Sequence, residues 1–208
     1  MYKRFCGAVF SLILGFNAWA QGPPALETFT SPDGAFQFVY PETYDLLVGE
    51  RLLRATQGRH QAIPVCEFST ALACVVYPIE IQPEARLEGA GFSVETLPGV
   101  TNETACLDYA DPSASRDSQR RQLTSIAIHS RMYRHASMRK KLPGHLQAID
   151  SYRTFNRQKC YELQIRISLS EEPKLQPASQ STPLGDVQAQ TAQESLRLIL
   201  SSVVFEPQ

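Results

Sequence analysis

The sequence predicts an α+β fold: a mostly antiparallel β-sheet covered by a few helices, one of them near the C-terminal end. The clearest sign is the run from Cys160 to Leu169. Tyr161, Leu163, Ile165, Ile167 and Leu169 fall on one face, and Glu162, Gln164, Arg166 and Ser168 on the other. That alternation describes a strand with one face in the core and one face wet. A second sign is that shorter runs of the same kind recur along the chain, divided by turn residues. The third is a change of period between Asp186 and Leu200. There Val187, Thr191, Leu196, Ile199 and Leu200 take the spacing of one helical face behind an N-capping aspartate.

In chain order, Pro32-Asp33-Gly34 is a turn, because proline sets φ and glycine is free to take φ > 0. A strand Ala35–Tyr40 follows, with Phe36, Phe38 and Tyr40 on one face. Pro41 ends it, having no N–H for the ladder. Tyr44–Val48 is its expected antiparallel partner. Further strands are expected at Pro64–Phe68, Cys74–Pro78, Ala90–Leu97, Ser125–His129, Ser130–His135, Ile149–Phe155 and Cys160–Leu169. "FNRQK" forms a hairpin loop between the last two. Capping residues at 101–104 start a short helix through Cys106 and Leu107. "SSVVFEP" returns as a terminal strand, and a flexible proline-containing loop is expected near 171–185. The expected core is Phe36, Phe38, Phe92, Val94, Leu163, Ile165, Leu196 and Ile199.

The first 20 residues carry Lys3 and Arg4, an apolar run from Phe5 to Phe16, and Ala18-Trp19-Ala20. This is the pattern of a secretory signal peptide cleaved after Ala20, and the run is too short to span a bilayer. Residues 21–208 then form a single disulfide-stapled domain, periplasmic or secreted, with no transmembrane segment in the mature chain. Removing Lys3 and Arg4 leaves 18 basic residues of 20 against 21 acidic ones, a net charge of about −3. Cys6 leaves with the signal, so Cys66, Cys74, Cys106 and Cys160 remain. No Cys-x-x-Cys or Cys-x-x-His spacing points to a metal, and an even number of cysteines in an oxidising compartment reads as disulfides. Four cysteines allow three pairings. Folding 63–79 as a hairpin with Ser69-Thr70-Ala71 at its tip sets Cys66 opposite Cys74, at a separation a disulfide can bridge. Cys106 is then left for Cys160.

"SPDGAFQFVYP", "LEGAGFSVETL", "YRTFNRQKCYELQI" and the closing "ILSSVVF" resemble an uncharacterised family of secreted bacterial proteins. The entry segment and the helix-to-strand exit are also similar to the PsbP-like α/β sandwich. That wider resemblance implies an antiparallel sheet covered by helices. It brings no active-site motif, and no metal or photosystem role is carried over.

The chain has no Gly-x-Ser-x-Gly, His-Glu-x-x-His or glycine-rich phosphate loop. His60, His129, His135 and His145 are scattered. No catalytic residue, metal site or cofactor is assigned. Charge is distributed in blocks: Arg116 to Lys141 hold eight Lys/Arg against Asp117, while 84–111 hold six acids against Arg86. The basic block reads either as a solvated face or as an anion-facing patch built from Arg131, Arg134, Arg139, Lys140 and Lys141. Its partner would be a lipid headgroup, an envelope polymer or an acidic envelope protein. Nucleic acid does not fit, since no aromatic residues interleave with the arginines for stacking. The functional expectation is an exported, non-catalytic binding or accessory protein. An envelope hydrolase and a structural assembly subunit are the alternatives.

Overall fold

The fold comes from a computed structural model that describes residues 24–52, 65–66, 71–79, 86–108, 123–171 and 184–206. The expected signal peptide, Arg116, Arg120 and Arg121, and residues 172–183 of the expected loop lie outside them. In chain order the elements are β1 (Leu26–Thr30), β2 (Phe36–Pro41), β3 (Asp45–Leu47), β4 (Ala71–Val76), β5 (Leu87–Thr96) and α1 (Glu103–Leu107). There follow β6 (Thr124–Ile128), β7 (Arg131–Leu142), β8 (His145–Asn156), β9 (Lys159–Ser170), α2 (Leu184–Ser201) and β10 (Val204–Phe205).

Two antiparallel sheets result, β1-β2-β10 and β3-β4-β5-β9-β8-β7-β6. The small sheet and α2 lie on one face of the large sheet and share its core. Phe36 and Phe205 pack on Tyr161, and Phe38 meets Phe92 edge-on. All eight expected core residues are buried. The β1–β2 turn is the one its sequence demands. Gly34 sits at φ +63, and Asp33 accepts hydrogen bonds from Ser31 Oγ (2.9 Å) and the Ala35 N–H (3.2 Å). The β8–β9 turn places Arg157 and Gln158 at φ 46 and 58, as a two-residue hairpin matched to strand twist requires.

The structure corrects several expectations. β2 pairs with β1 and β10, not with residues 44–48; β3 pairs with β4 instead. β7 runs to Leu142, so Arg139, Lys140 and Lys141 lie in a strand and not in the loop after one. The α2 helix begins at Leu184, which places Asp186 inside it. Its buried stripe is Ala192, Leu196, Ile199 and Leu200, while Val187 and Thr191 are exposed.

The polar face of β9 is not wet: Glu162, Gln164, Arg166 and Ser168 are all buried. Successive strand residues point to opposite faces, so these side chains lie away from α2. On this second face Val65 and Cys66 lie across Gly89 and Gly91, where an added Cβ would meet Val65 side-chain atoms at 2.6 and 3.1 Å. α1 packs there against β8 and β9. The Cys66–Cys74 and Cys106–Cys160 disulfides hold these two covers, with Cα–Cα separations of 6.2 and 5.4 Å. Cys66 reaches Cys74 from a bend over the sheet and not from a hairpin partner, since β3 and β5 already occupy both edges of β4. Beneath the covers the polar groups satisfy one another. Glu162 Oε1 accepts from Ser151 Oγ and from Arg153 Nε (2.9 Å), and Arg166 Nε donates to Gln164 Oε1 at 2.9 Å.

Candidate functional site

The alternation of β7 divides the five predicted anion-site residues. Tyr133 is in the shared core, so Arg131, Arg139 and Lys141 lie on the α2 face, while Arg134 and Lys140 lie on the other. Arg131 and Lys141 are also roughly 30 Å apart along the strand. Arg131 is committed to the fold. Its guanidinium donates to the Phe155 carbonyl (3.1 Å) and Asn156 Oδ1 (3.3 Å) and lies 5.0 Å from the centroid of Phe205. Arg134 donates to Ser125 Oγ at 3.1 Å. Lys141 pairs with Glu171 at 3.1 Å. Arg139 and Lys140 are exposed and form no ion pair among the described residues. The five do not form one cluster.

What the structure does assemble is a groove of about 280 Å³ between the β7–β8 ladder and α2. It is lined by Arg139, Ile149, Asp150, Ile167, Gln193 and Arg197, among others. Gln193 and Arg197 sit one helical turn apart, so both reach the same strand pair. Asp150 lies at the centre. It accepts from Ser137 Oγ (2.5 Å), Gln193 Nε2 (3.2 Å) and Arg197 Nη2 (3.4 Å), and His135 Nε2 lies 3.6 Å away. Burial alone would raise the Asp150 pKa. The nearby His135 imidazole and the hydrogen bonds from Ser137 and the Gln193 amide outweigh burial and hold it at about 2. Asp150 is therefore a fixed anion at neutral pH that orients Gln193 and Arg197.

Ser137, His135 and Asp150 meet here without forming a nucleophile relay. Ser137 donates to the carboxylate and lies 3.4 Å from the same His135 nitrogen that faces Asp150, while Nδ1 faces Thr124 Oγ1 at 3.3 Å. A relay needs the serine and the acid on opposite ring nitrogens. His145 Nδ1 lies 2.5 Å from Glu88, and His129 Nε2 lies 2.5 Å from the Ser201 carbonyl oxygen at the end of α2.

A larger cleft, about 470 Å³, opens where the 31–34 turn, the 97–101 loop and the β8–β9 turn meet. Its charges are matched internally. Lys159 Nζ donates to Asp33 Oδ2 at 2.9 Å, and that bond is the main reason the Asp33 pKa falls to about 2. The groove, by contrast, keeps an uncommitted arginine in Arg139. Sequence reading missed Gln193 and Arg197 because polar residues on a helix ordinarily read as its solvated side. Their i, i+4 spacing was the available signal.

No family model matches the chain, and no curated protein matches it in sequence. Among solved structures it is similar to LpqN of Mycobacterium tuberculosis, described as involved in cell envelope biogenesis. That match has 10% identity and a TM-score of 0.48, and covers 88% of this chain and 91% of that one. It is also similar to cyanobacterial PsbP (CyanoP) of Synechocystis, with 13% identity, a TM-score of 0.44, and coverage of 90% and 96%. A Bacteroides thetaiotaomicron protein matches at 10% identity and a TM-score of 0.46, over 87% of this chain and only 48% of that chain's length. The PsbP type noted in the sequence is thus among these neighbours. With TM-scores below 0.5 and identities this low, none of these likenesses carries an argument about this chain.

Proposed function

We propose that this protein is an exported, non-catalytic binding or accessory protein that holds an anionic partner against the groove between β7 and α2. The observation that carries this reading is the placement of Arg139 and Arg197 on one groove, with Arg197 oriented by Asp150. Arginine suits such a role because its planar guanidinium donates in pairs to carboxylate or phosphate oxygens. Lys141 lies on the same face and already holds the Glu171 carboxylate. Two disulfides support maturation in an oxidising compartment, in keeping with a signal peptide cleaved after Ala20 and a periplasmic or secreted location. No described helix is long and apolar enough to cross a membrane.

The test is retention of the full mature chain on immobilised polyglutamate, and co-sedimentation with phosphatidylglycerol vesicles, at low and physiological salt. Wild type binds at least one anionic surface at low salt and loses affinity as salt screens exposed charge. Arg139→Glu with Arg197→Glu weakens that binding about tenfold, as expected from reversing two exposed contacts of modest individual strength. Absence of binding to both surfaces at low salt, or equal binding by the double variant, overturns the reading.

A further inference from the structure

The outer edge of β7 carries a second kind of information. β6 pairs only with Arg131 to His135, whereas β8 pairs with β7 from Arg134 to Leu142. Beyond His135, therefore, no strand covers the outer edge of β7 among the described residues. Which backbone groups face that edge follows from the hairpins. The two-residue turn at His129 and Ser130 makes Ile128 and Arg131 a hydrogen-bonded pair, so the odd-numbered residues of β7 direct their N–H and C=O toward β6. The turn at 143–144 likewise directs the even-numbered residues toward β8. Past the end of β6, Ser137, Arg139 and Lys141 accordingly direct their backbone donors and acceptors outward, with no strand partner among the described residues. Ser137, Arg139, Lys140 and Lys141 are all exposed.

We infer that this edge is a docking site for an extended acidic peptide segment, which adds to the large sheet as an eighth strand beside Ser137–Lys141. The inference rests on the anion-binding reading above and specifies its partner. Main-chain hydrogen bonds to the odd-numbered residues supply the ladder, and side chains supply the choice of partner. In an added strand, residues directly opposite Arg139 and Lys141 share the α2 face, and the residue opposite Lys140 shares the other. Carboxylates at alternate positions thus meet Arg139 and Lys141 together, beside Arg197 on the groove. The Glu171 carboxylate at Lys141 Nζ, 3.1 Å away, shows the contact such a residue would make. A second copy of this chain is the wrong occupant. Self-pairing would bring Arg139, Lys140 and Lys141 against their own like charges, the device by which edge strands resist self-association.

The experiment uses the oxidised mature protein and a short peptide of alternating Glu and Val. Two comparisons are a Lys-Val peptide and a Glu-Val peptide with a central proline, which keeps most of the charge but breaks the ladder. Residue-resolved amide hydrogen exchange is the readout. The Glu-Val peptide slows exchange at Ser137, Arg139 and Lys141 by about tenfold or more, while the amides of Met138 and Lys140, already facing β8, change little. The proline peptide gives no such pattern. Arg139→Glu, Lys140→Glu and Lys141→Glu together transfer the protection to the Lys-Val peptide. Absence of protection at these odd-numbered amides at millimolar peptide overturns the docking site, as does equal protection by the proline peptide. If polyglutamate or phosphatidylglycerol vesicles are still bound at low salt, only the strand-addition inference fails; if neither is, the anion-binding reading fails with it.

Discussion

Gly89→Ala puts the covered second face of the sheet to a direct test. Gly89 follows the register shift in β5 between Leu87 and Gly89, and a Cβ there would lie 2.6 Å from Val65 Cγ1 and 3.8 Å from Ser168 Cβ. In an open strand, replacing glycine by alanine stabilises by about 0.4–1 kcal/mol through the unfolded chain. Here the methyl must displace Val65, which cannot retreat freely because Cys66 next to it is bonded to Cys74 in β4. Overpacking of this kind costs about 1–3 kcal/mol, so the net expectation is a loss of about 1–2 kcal/mol. Urea unfolding with both disulfides intact measures it. Val65→Ala on its own opens a small cavity and is also destabilising. The double variant Gly89→Ala with Val65→Ala should lose less than the sum of the two, with a coupling of at least about 0.5 kcal/mol. A neutral or stabilising Gly89→Ala, or strictly additive losses, would mean that Val65 does not lie on the sheet.

Three further outcomes follow from the same structure. Ile165→Ala, at a fully buried position between β5 and β8, should cost roughly 2–5 kcal/mol in the same assay; a change below about 0.5 kcal/mol would contradict its place in the core. Cys106→Ser opens a bridge across a separation of 54 residues and should cost on the order of 4 kcal/mol, with one new free thiol, at Cys160, titratable after denaturation. Asp150→Asn should lose on the order of 2 kcal/mol at pH 7. Because the folded Asp150 pKa is depressed to about 2, its contribution is complete above the unfolded value near 4 and disappears as pH falls toward 2. The gap between wild type and Asp150→Asn should therefore close over that interval, and a gap that persists at pH 2 would show that the carboxylate charge is not its source.

The parts of the fold legible in the sequence were those decided by local pattern. The β9 alternation, the Pro32-Asp33-Gly34 turn, the tight β8–β9 turn and the eight core positions all depend on neighbours within a few residues. What was not legible depended on distant chain. Glu162, Gln164 and Arg166 read as a wet face because nothing near them in sequence reveals that Val65, Cys66 and α1 lie over that side. Arg139-Lys140-Lys141 read as loop because a run of cations carries no apolar period, although an edge strand tolerates such a run. β1, "LETFT", gives no sequence signal as the β2 partner, because it is mostly exposed and shows little alternation. The groove is half visible in sequence: Arg139 belongs to the basic block, but Asp150, Gln193 and Arg197 come together only once α2 is laid across the sheet.

The two disulfides share one side of the large sheet. Tyr161, Phe36, Phe92 and Leu196 bind the α2 side together without covalent help. On the reverse side a row of buried polar and charged groups lies beneath its covers, beside a smaller apolar cluster formed by Leu52, Val65, Cys66 and Cys74. There the two sulfur bridges tie the covers to the sheet covalently. A reductant therefore does not loosen this protein evenly. The back is expected to open before the front, with Arg153, Glu162 and Arg166 reaching water while the central sheet persists, an order that amide hydrogen exchange with and without reductant reads.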